Sequence, residues 1–186
     1  MAKPSSSSSD SLRESINALL SPTAEISKDL SPELVDRLLI FLSNVGVSNP
    51  IPDHCNTKGF LSDVISAVLK PLTISRGQLT CLLTVKPVIS NFYATLHGGA
   101  LAAVAETISI VCAKTVVGDD KEIFLGEQSF SYLSGASIDA EVIADAKVVR
   151  SGRNLTVVSI DFKLKKTQKL VYTARATFYN MPVSKL

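Results

Sequence analysis

The chain has 186 residues, 46% of them hydrophobic and 19% charged, with a net charge of only +2. That length suits one domain with some extra, the composition is that of an ordinary globular protein, and the near-neutral balance argues against nucleic-acid binding through bulk positive charge. Three cysteines (Cys55, Cys81, Cys112) and two histidines (His54, His97), none at metal-ligand spacing, argue against a disulfide framework or a His-rich metal site. Reduced thiols, no metal and no cofactor are expected.

Residues 1–30 are rich in Ser and charge, with Ser5 to Ser9 in one run, and lack the apolar centre of a secretory signal. They read as a flexible lead-in to a domain over residues 31–182. Ser31 then offers an N-cap, Pro32 suits the first helical position and Glu33 the first turn. Leu34, Val35, Leu38, Leu39 and Leu42 follow at helical spacing, which predicts a helix from Pro32 to about Val45, closed by Gly46. Two prolines make residues 48–53 a loop.

From about Asp63 to Val85 the pattern predicts two strands turning at Ser75-Arg76-Gly77. Residues 86–96 connect to a small-residue helix opened by His97 and running to about Thr115. Its apolar stretch Leu101–Ala113 is interrupted by Glu106 and is shorter than the about 20 residues of a membrane span. Four strands come next: Ile123–Leu133, then segments in which Ala140 to Val148, Val158 to Leu164 and Leu170 to Phe178 alternate apolar with polar residues. Period-two alternation predicts antiparallel strands covered on one face. The fold class is α+β, an antiparallel sheet around one apolar helix. Residues 183–186 form a tail ending in Ser184-Lys185-Leu186. At a C-terminus that tripeptide is a receptor-read peroxisomal address, which makes the import receptor an expected partner.

The chemistry concentrates in the stretch from Asn91 to Glu106. His97-Gly98-Gly99 opens the central helix, where backbone N–H groups lie unpaired at the positive end of the helix dipole. Without side chains there, a substrate carbonyl can approach closely and its oxyanion be stabilised. Glu106 sits among Ala103, Val104, Ala105, Ile108 and Ile110, where a carboxylate is costly without partners or work, and burial would make it a better base. Taken alone it also fits a surface glutamate on an amphipathic helix, a reading the flanking alanines and isoleucines argue against. Asn91 taken alone is a loop residue capping its own backbone. His97 and Glu106 are nine residues apart on one helix, roughly 13 Å at ~1.5 Å per residue and on opposite faces. If both serve one carbonyl, a second chain must supply the carboxylate, so the expected active site is shared across a homodimer.

The pattern Asn-x5-His-Gly-Gly-x6-Glu, from Asn91 to Glu106, resembles the signature of hotdog-fold thioesterases, in particular the acyl-CoA thioesterase 13 and phenylacetate-pathway group. The resemblance covers about Pro32 to Pro182. It implies a hotdog fold, an acyl-CoA substrate, and dimers that pair into homotetramers. It also implies roles: Glu106 as base or nucleophile, Asn91 positioning water or the carboxylate, His97 orienting the thioester, and Gly98 donating to the oxyanion, with Gly99 beside it. Where mammalian-type members carry a Ser on the next strand, alignment on Tyr132-Leu133-Ser134 places Leu125, and Glu127 is expected on the same face two residues on. Arg150-Ser151-Gly152-Arg153 resembles the family's turn near the CoA phosphates, and its charge suits them.

Other readings use the same residues differently. A non-catalytic acyl-CoA binder fits the missing hydroxyl at Leu125, and a hydratase-type hotdog enzyme would need prolines and spacing that are absent. No Gly-x-Ser-x-Gly elbow occurs, against an α/β-hydrolase.

Overall fold

The computed structural model describes residues 19–183, so Ser184-Lys185-Leu186 and most of the Ser-rich lead-in lie outside the described residues. The sequence places a boundary near residue 30. The chain itself divides into two compact units, Met1–Thr57 and Lys58–Leu186.

In the first unit, helix α1 spans Pro32–Asn44. Ser31 caps it as expected, its Oγ accepting the Leu34 N–H at 3.3 Å. Hydrogen bonds from its own backbone and from Ser31 hold the Glu33 carboxyl below its ordinary value. At the other end Gly46 takes φ +79°, and the N–H groups of Gly46 and Val47 return to the carbonyls of Ser43 and Leu42. That is a Schellman closure, which needs a residue free to adopt the left-handed region.

The second unit opens with a helix where a strand was expected. Helix α2 spans Phe60–Val68 and strand β1 only Leu69–Ser75. Phe60, Leu61, Val64, Ile65 and Val68 recur at helical spacing, and that periodicity outweighs the β-branched content that suggested a strand. Strand β2 is Gln78–Thr84, joined to β1 through Gly77 at φ +76°. Helix α3 spans Gly98–Lys114, with His97 as its N-cap. Strands β3 (Lys121–Tyr132), β4 (Glu141–Ser151), β5 (Leu155–Leu164) and β6 (Leu170–Pro182) follow in the expected order.

The six strands form one antiparallel sheet in the order β1-β2-β4-β5-β6-β3. Pro71 lies in edge strand β1 beside a register shift, a place where a missing N–H costs no ladder bond. Alternate residues of β2, β4, β5 and β6 are buried against α3, whose inner stripe is Leu101, Val104, Ala105, Ile108 and Cys112. Each large side chain in this core, such as Phe162 or Phe178, contributes about 1.5–3 kcal/mol by leaving water. Alanines on both layers (Ala105, Ala144, Ala176) let helix and sheet approach. Cys81 and Cys112 are part of this core, and burial pushes both thiols up to about 11.

The register gives the sheet two distinct ends. Thr84 pairs with Glu141, Val142 with Leu164, and Tyr132 with Tyr172 at the end where α3 begins. Lys121 pairs with Pro182 and Ser151 with Thr156 at the other. There α3 finishes, its C-cap Thr115 accepting the Gly77 N–H at 2.7 Å. From Glu141 to Arg150 the strand rises roughly 30 Å.

Candidate active site

The start of α3 is fixed by the loop before it. Asn91 Oδ1 accepts three hydrogen bonds, from the N–H groups of Tyr93 (3.0 Å) and Thr95 (3.2 Å) and from the Thr95 hydroxyl (3.1 Å). The Asn91 N–H in turn donates to the Thr95 carbonyl at 2.8 Å. These bonds hold Ala94 in the left-handed region, φ +56°, which an L-residue adopts at a cost of about 1–2 kcal/mol. The carbonyl half of the Asn91 amide therefore builds the loop. Its Nδ2 makes no hydrogen bond among the described residues and is the half available to a substrate or water.

The loop next pairs with the segment after β3. Leu96 N–H donates to the Ala136 carbonyl, and His97 N–H to the Ile89 carbonyl, both at 2.8 Å. His97 Nδ1 accepts the Gly99 N–H at 2.9 Å. That bond requires a bare Nδ1, so the neutral ring carries its proton on Nε2 and presents it as a donor. It also corrects the expectation for Gly99, whose N–H is capped by His97. The Gly98 N–H has no acceptor among the described residues. A Cβ at Gly98 would stand 3.3 Å from the Tyr132 hydroxyl, so the Tyr132 ring packs against Gly98, its hydroxyl donating to the Gly98 carbonyl at 3.5 Å. Tyr132 carries no signal of this place in the sequence; the pairing of β3 with β6, Tyr132 opposite Tyr172, puts it there.

Glu106 lies on the same regular helix, roughly two and a half turns further on. It is exposed, and forms no hydrogen bond or ion pair among the described residues. The expected burial is thus not found within one chain. Its apolar neighbours in sequence mostly face the sheet, and Glu106 falls on the flank that α3 leaves open.

On β3 a bulge changes the faces. Leu125 pairs with buried Phe178, but Glu127 pairs with Thr177, leaving Gly126 as the extra residue. A Cβ on Gly126 would overlap the Tyr179 ring. Leu125 packs on the core, whereas Glu127 is exposed on the side away from α3. The expectation that these two share a face is overturned by this one inserted residue. Gln128 is instead the polar residue on the helix side, its Nε2 donating to the Ala102 carbonyl at 3.4 Å.

Arg150, Gly152 and Arg153 lie together at the far end of the sheet. The turn is firmly built: Gly152 N–H donates to the Leu155 carbonyl at 2.8 Å, and the buried Asn180 donates to the Gly152 carbonyl at 2.8 Å. Asn180 Oδ1 also takes the Thr156 hydroxyl at 3.1 Å. Arg150 and Arg153 border a cavity of about 640 Å³, joined by Arg175 of β6. Arg175 was not anticipated; its place in the alternation of β6 was the available signal. Neither hairpin arginine has a carboxylate partner among the described residues. Within one chain the arginine turn and the start of α3 occupy opposite ends of the sheet.

Residues 93–171 match the Thioesterase superfamily model, a span that includes His97, Gly98, Glu106 and both hairpin arginines. Acyl-coenzyme A thioesterase 13 of Homo sapiens is 26% identical over 129 residues, 63% of this chain and 91% of that protein. The crystal structure of thioesterase superfamily member 2 from Mus musculus superposes with a TM-score of 0.59 at 25% identity, covering 64% of this chain and 87% of that one. A Streptococcus mutans protein solved bound to acetyl CoA superposes with a TM-score of 0.57 at 19% identity, over 63% of this chain and 91% of that one. At that identity the likeness shows the fold alone.

Proposed function

We propose, for a chain that carries a thioesterase-superfamily domain on a hotdog fold, that it hydrolyses acyl- or aroyl-CoA to the free acid and CoA in a site shared by two copies. The family match and the acyl-CoA thioesterase relatives support thioester hydrolysis at the level of the family. The observation that carries the finer reading is the start of α3. It holds a free Gly98 N–H beside His97 Nε2–H and Asn91 Nδ2, and among the described residues no carboxylate forms a hydrogen bond or ion pair with any of the three.

The thioester carbonyl oxygen accepts from the Gly98 N–H, where negative charge develops in the transition state. His97 and Asn91 orient the thioester and the water. Glu106 of the partner subunit takes a proton from that water, or attacks the carbonyl carbon itself. As a base, Glu106 hands that proton to the CoA sulfur as the tetrahedral intermediate collapses to the acid and the thiol. As a nucleophile it forms a mixed anhydride and expels the CoA thiolate, which takes its proton from solvent, and water then hydrolyses the anhydride to the free acid and restores the carboxylate. Two features support pairing. Glu106 is exposed in the single chain, open to a second helix start, and edge strand β3 offers a 12-residue row of backbone groups to another copy. Dimers of dimers extend the same proposal.

The test is to mix subunits. Glu106→Ala alone loses about 10²–10⁴ in kcat with folding and association intact. Co-expressed Glu106→Ala and His97→Ala chains recover activity, because half the dimers are mixed and hold one intact site, giving about a quarter of the wild-type rate. Full activity in Glu106→Ala would sink the mechanism. Leu125 on the core side, with no hydroxyl, is the observation that favours a non-catalytic acyl-CoA binder. Tight binding of a CoA ester without thiol release by the wild-type chain would establish that reading instead. Peroxisomal import through Ser184-Lys185-Leu186 is part of the proposal, and a tagged chain lacking Leu186 should stay in the cytosol.

A further inference from the structure

We propose that Gln128 is a positioning residue for Glu106 of its own chain, holding that carboxylate and the attacking water through its side-chain amide in place of a hydroxyl at Leu125. The inference rests on the thioesterase reading above and deepens it.

Period-two alternation along β3 would aim Lys121, Ile123, Leu125 and Glu127 at the helix. The bulge at Gly126 breaks that series. Beyond it, Gln128 and Phe130 are the half-buried residues and Glu127, Ser129 and Ser131 the exposed ones. The bulge is built in, because the Tyr179 ring fills the space a Cβ at position 126 would need. Its result is one uncharged amide set against the middle of α3.

The amide touches the helix turn that leads to Glu106. Gln128 Nε2 donates to the Ala102 carbonyl, and Ala102 precedes Glu106 by four residues, on the same helix face. A helical side chain leans toward the N-terminus and covers the turn before its own Cα. The Glu106 carboxylate therefore lies over the turn that Gln128 touches. Glutamine has two N–H donors and one acceptor. With one donor on Ala102, a second N–H remains for the carboxylate and Oε1 for a water. Leu125, packed on the core, can supply neither.

Gln128→Met keeps the volume and removes both donors. The expected result is a fall in kcat of about tenfold or more, with KM within about twofold and the melting temperature unchanged. Adding Leu125→Ser to Gln128→Met should restore part of the rate. The mixed-subunit assay then separates positioning from general structure. The intact site in the Glu106→Ala with His97→Ala pair uses Glu106 from the His97→Ala chain. Gln128→Met on that chain should lower the recovered rate by the same factor. On the Glu106→Ala chain it should change nothing. Equal losses in both arms, or wild-type kcat in Gln128→Met, would overturn the proposal. If Glu106→Ala itself retains full turnover, the thioesterase mechanism fails instead, and the two failures are distinct.

Discussion

At the start of α3 itself, the polar groups that face a carbonyl are uncharged: the Gly98 N–H, the Nε2–H of His97, the Nδ2 of Asn91 and the Tyr132 hydroxyl. At the other end of the sheet three arginines, Arg150, Arg153 and Arg175, border one cavity. The first set can polarise a carbonyl without binding anions in general. The second can hold phosphate through charge-assisted hydrogen bonds but has no group suited to acyl chemistry. An acyl-CoA needs both. One chain separates them by roughly 30 Å of strand, so the arginine turn serving a given helix start is expected to come from another copy.

Substitutions at the two ends should therefore fail in different ways. The largest effect belongs to the helix start. His97→Ala removes both the Gly99 cap and the Nε2 donor, and is expected to lower kcat by about 10²-fold, while the lost cap costs about 1 kcal/mol in a melt. Asn91→Asp comes next. It keeps an acceptor for Tyr93 and Thr95 but lacks the Nδ2 donor, so it should fold and lose rate. Asn91→Ala should lose stability as well, by about 1–3 kcal/mol, because Tyr93 and Thr95 are left without their acceptor. If Asn91→Asp keeps full kcat, the residue only builds the loop.

At the arginine end the expected change is in KM. Arg150→Ala with Arg153→Ala should raise KM for an acyl-CoA about tenfold and leave kcat near wild type. The same variant should show no change with an acyl thioester of N-acetylcysteamine, which lacks the phosphates. A matching loss on that truncated substrate would mean that the turn supports the fold, not the phosphates. The smallest expected effect concerns the core. Cys81 and Cys112 ionise at about 11 in the folded chain and at about 8.5 when unfolded. Stability from these thiols is complete below the unfolded value and is lost as pH rises through the folded one. Tyr172, also raised by burial, acts in the same direction. Denaturant melts at pH 8 and pH 10.5 measure the decline, and Cys81→Ala with Cys112→Ala should flatten it.

Much of the fold was legible because it is periodic. Helix α3 and the alternating strands β4, β5 and β6 were readable from spacing, and α1 from its cap residues. Helix α2 was not, since a short apolar run of Phe60 to Val68 fits a strand or a helix until its neighbours choose. The sequence marked His97, Gly98 and Glu106 as a group, but it misjudged how they are surrounded. Glu106 has apolar neighbours along the chain and solvent beside it in the single subunit, because a helix separates sequence neighbours by about 100° each. Gly126 was the sole local sign of the bulge, and a lone glycine does not tell which way the following side chains turn.

The two thiols in the core have a practical use in any assay that counts free sulfhydryls. Cys81 and Cys112 are shielded, and only Cys55 is partly accessible. An aromatic disulfide reagent added to the native protein should meet one slow background sulfhydryl per chain, against which released CoA is read. The same reagent should find three once the sheet and α3 separate, so the protein carries its own label for the opening of its interior.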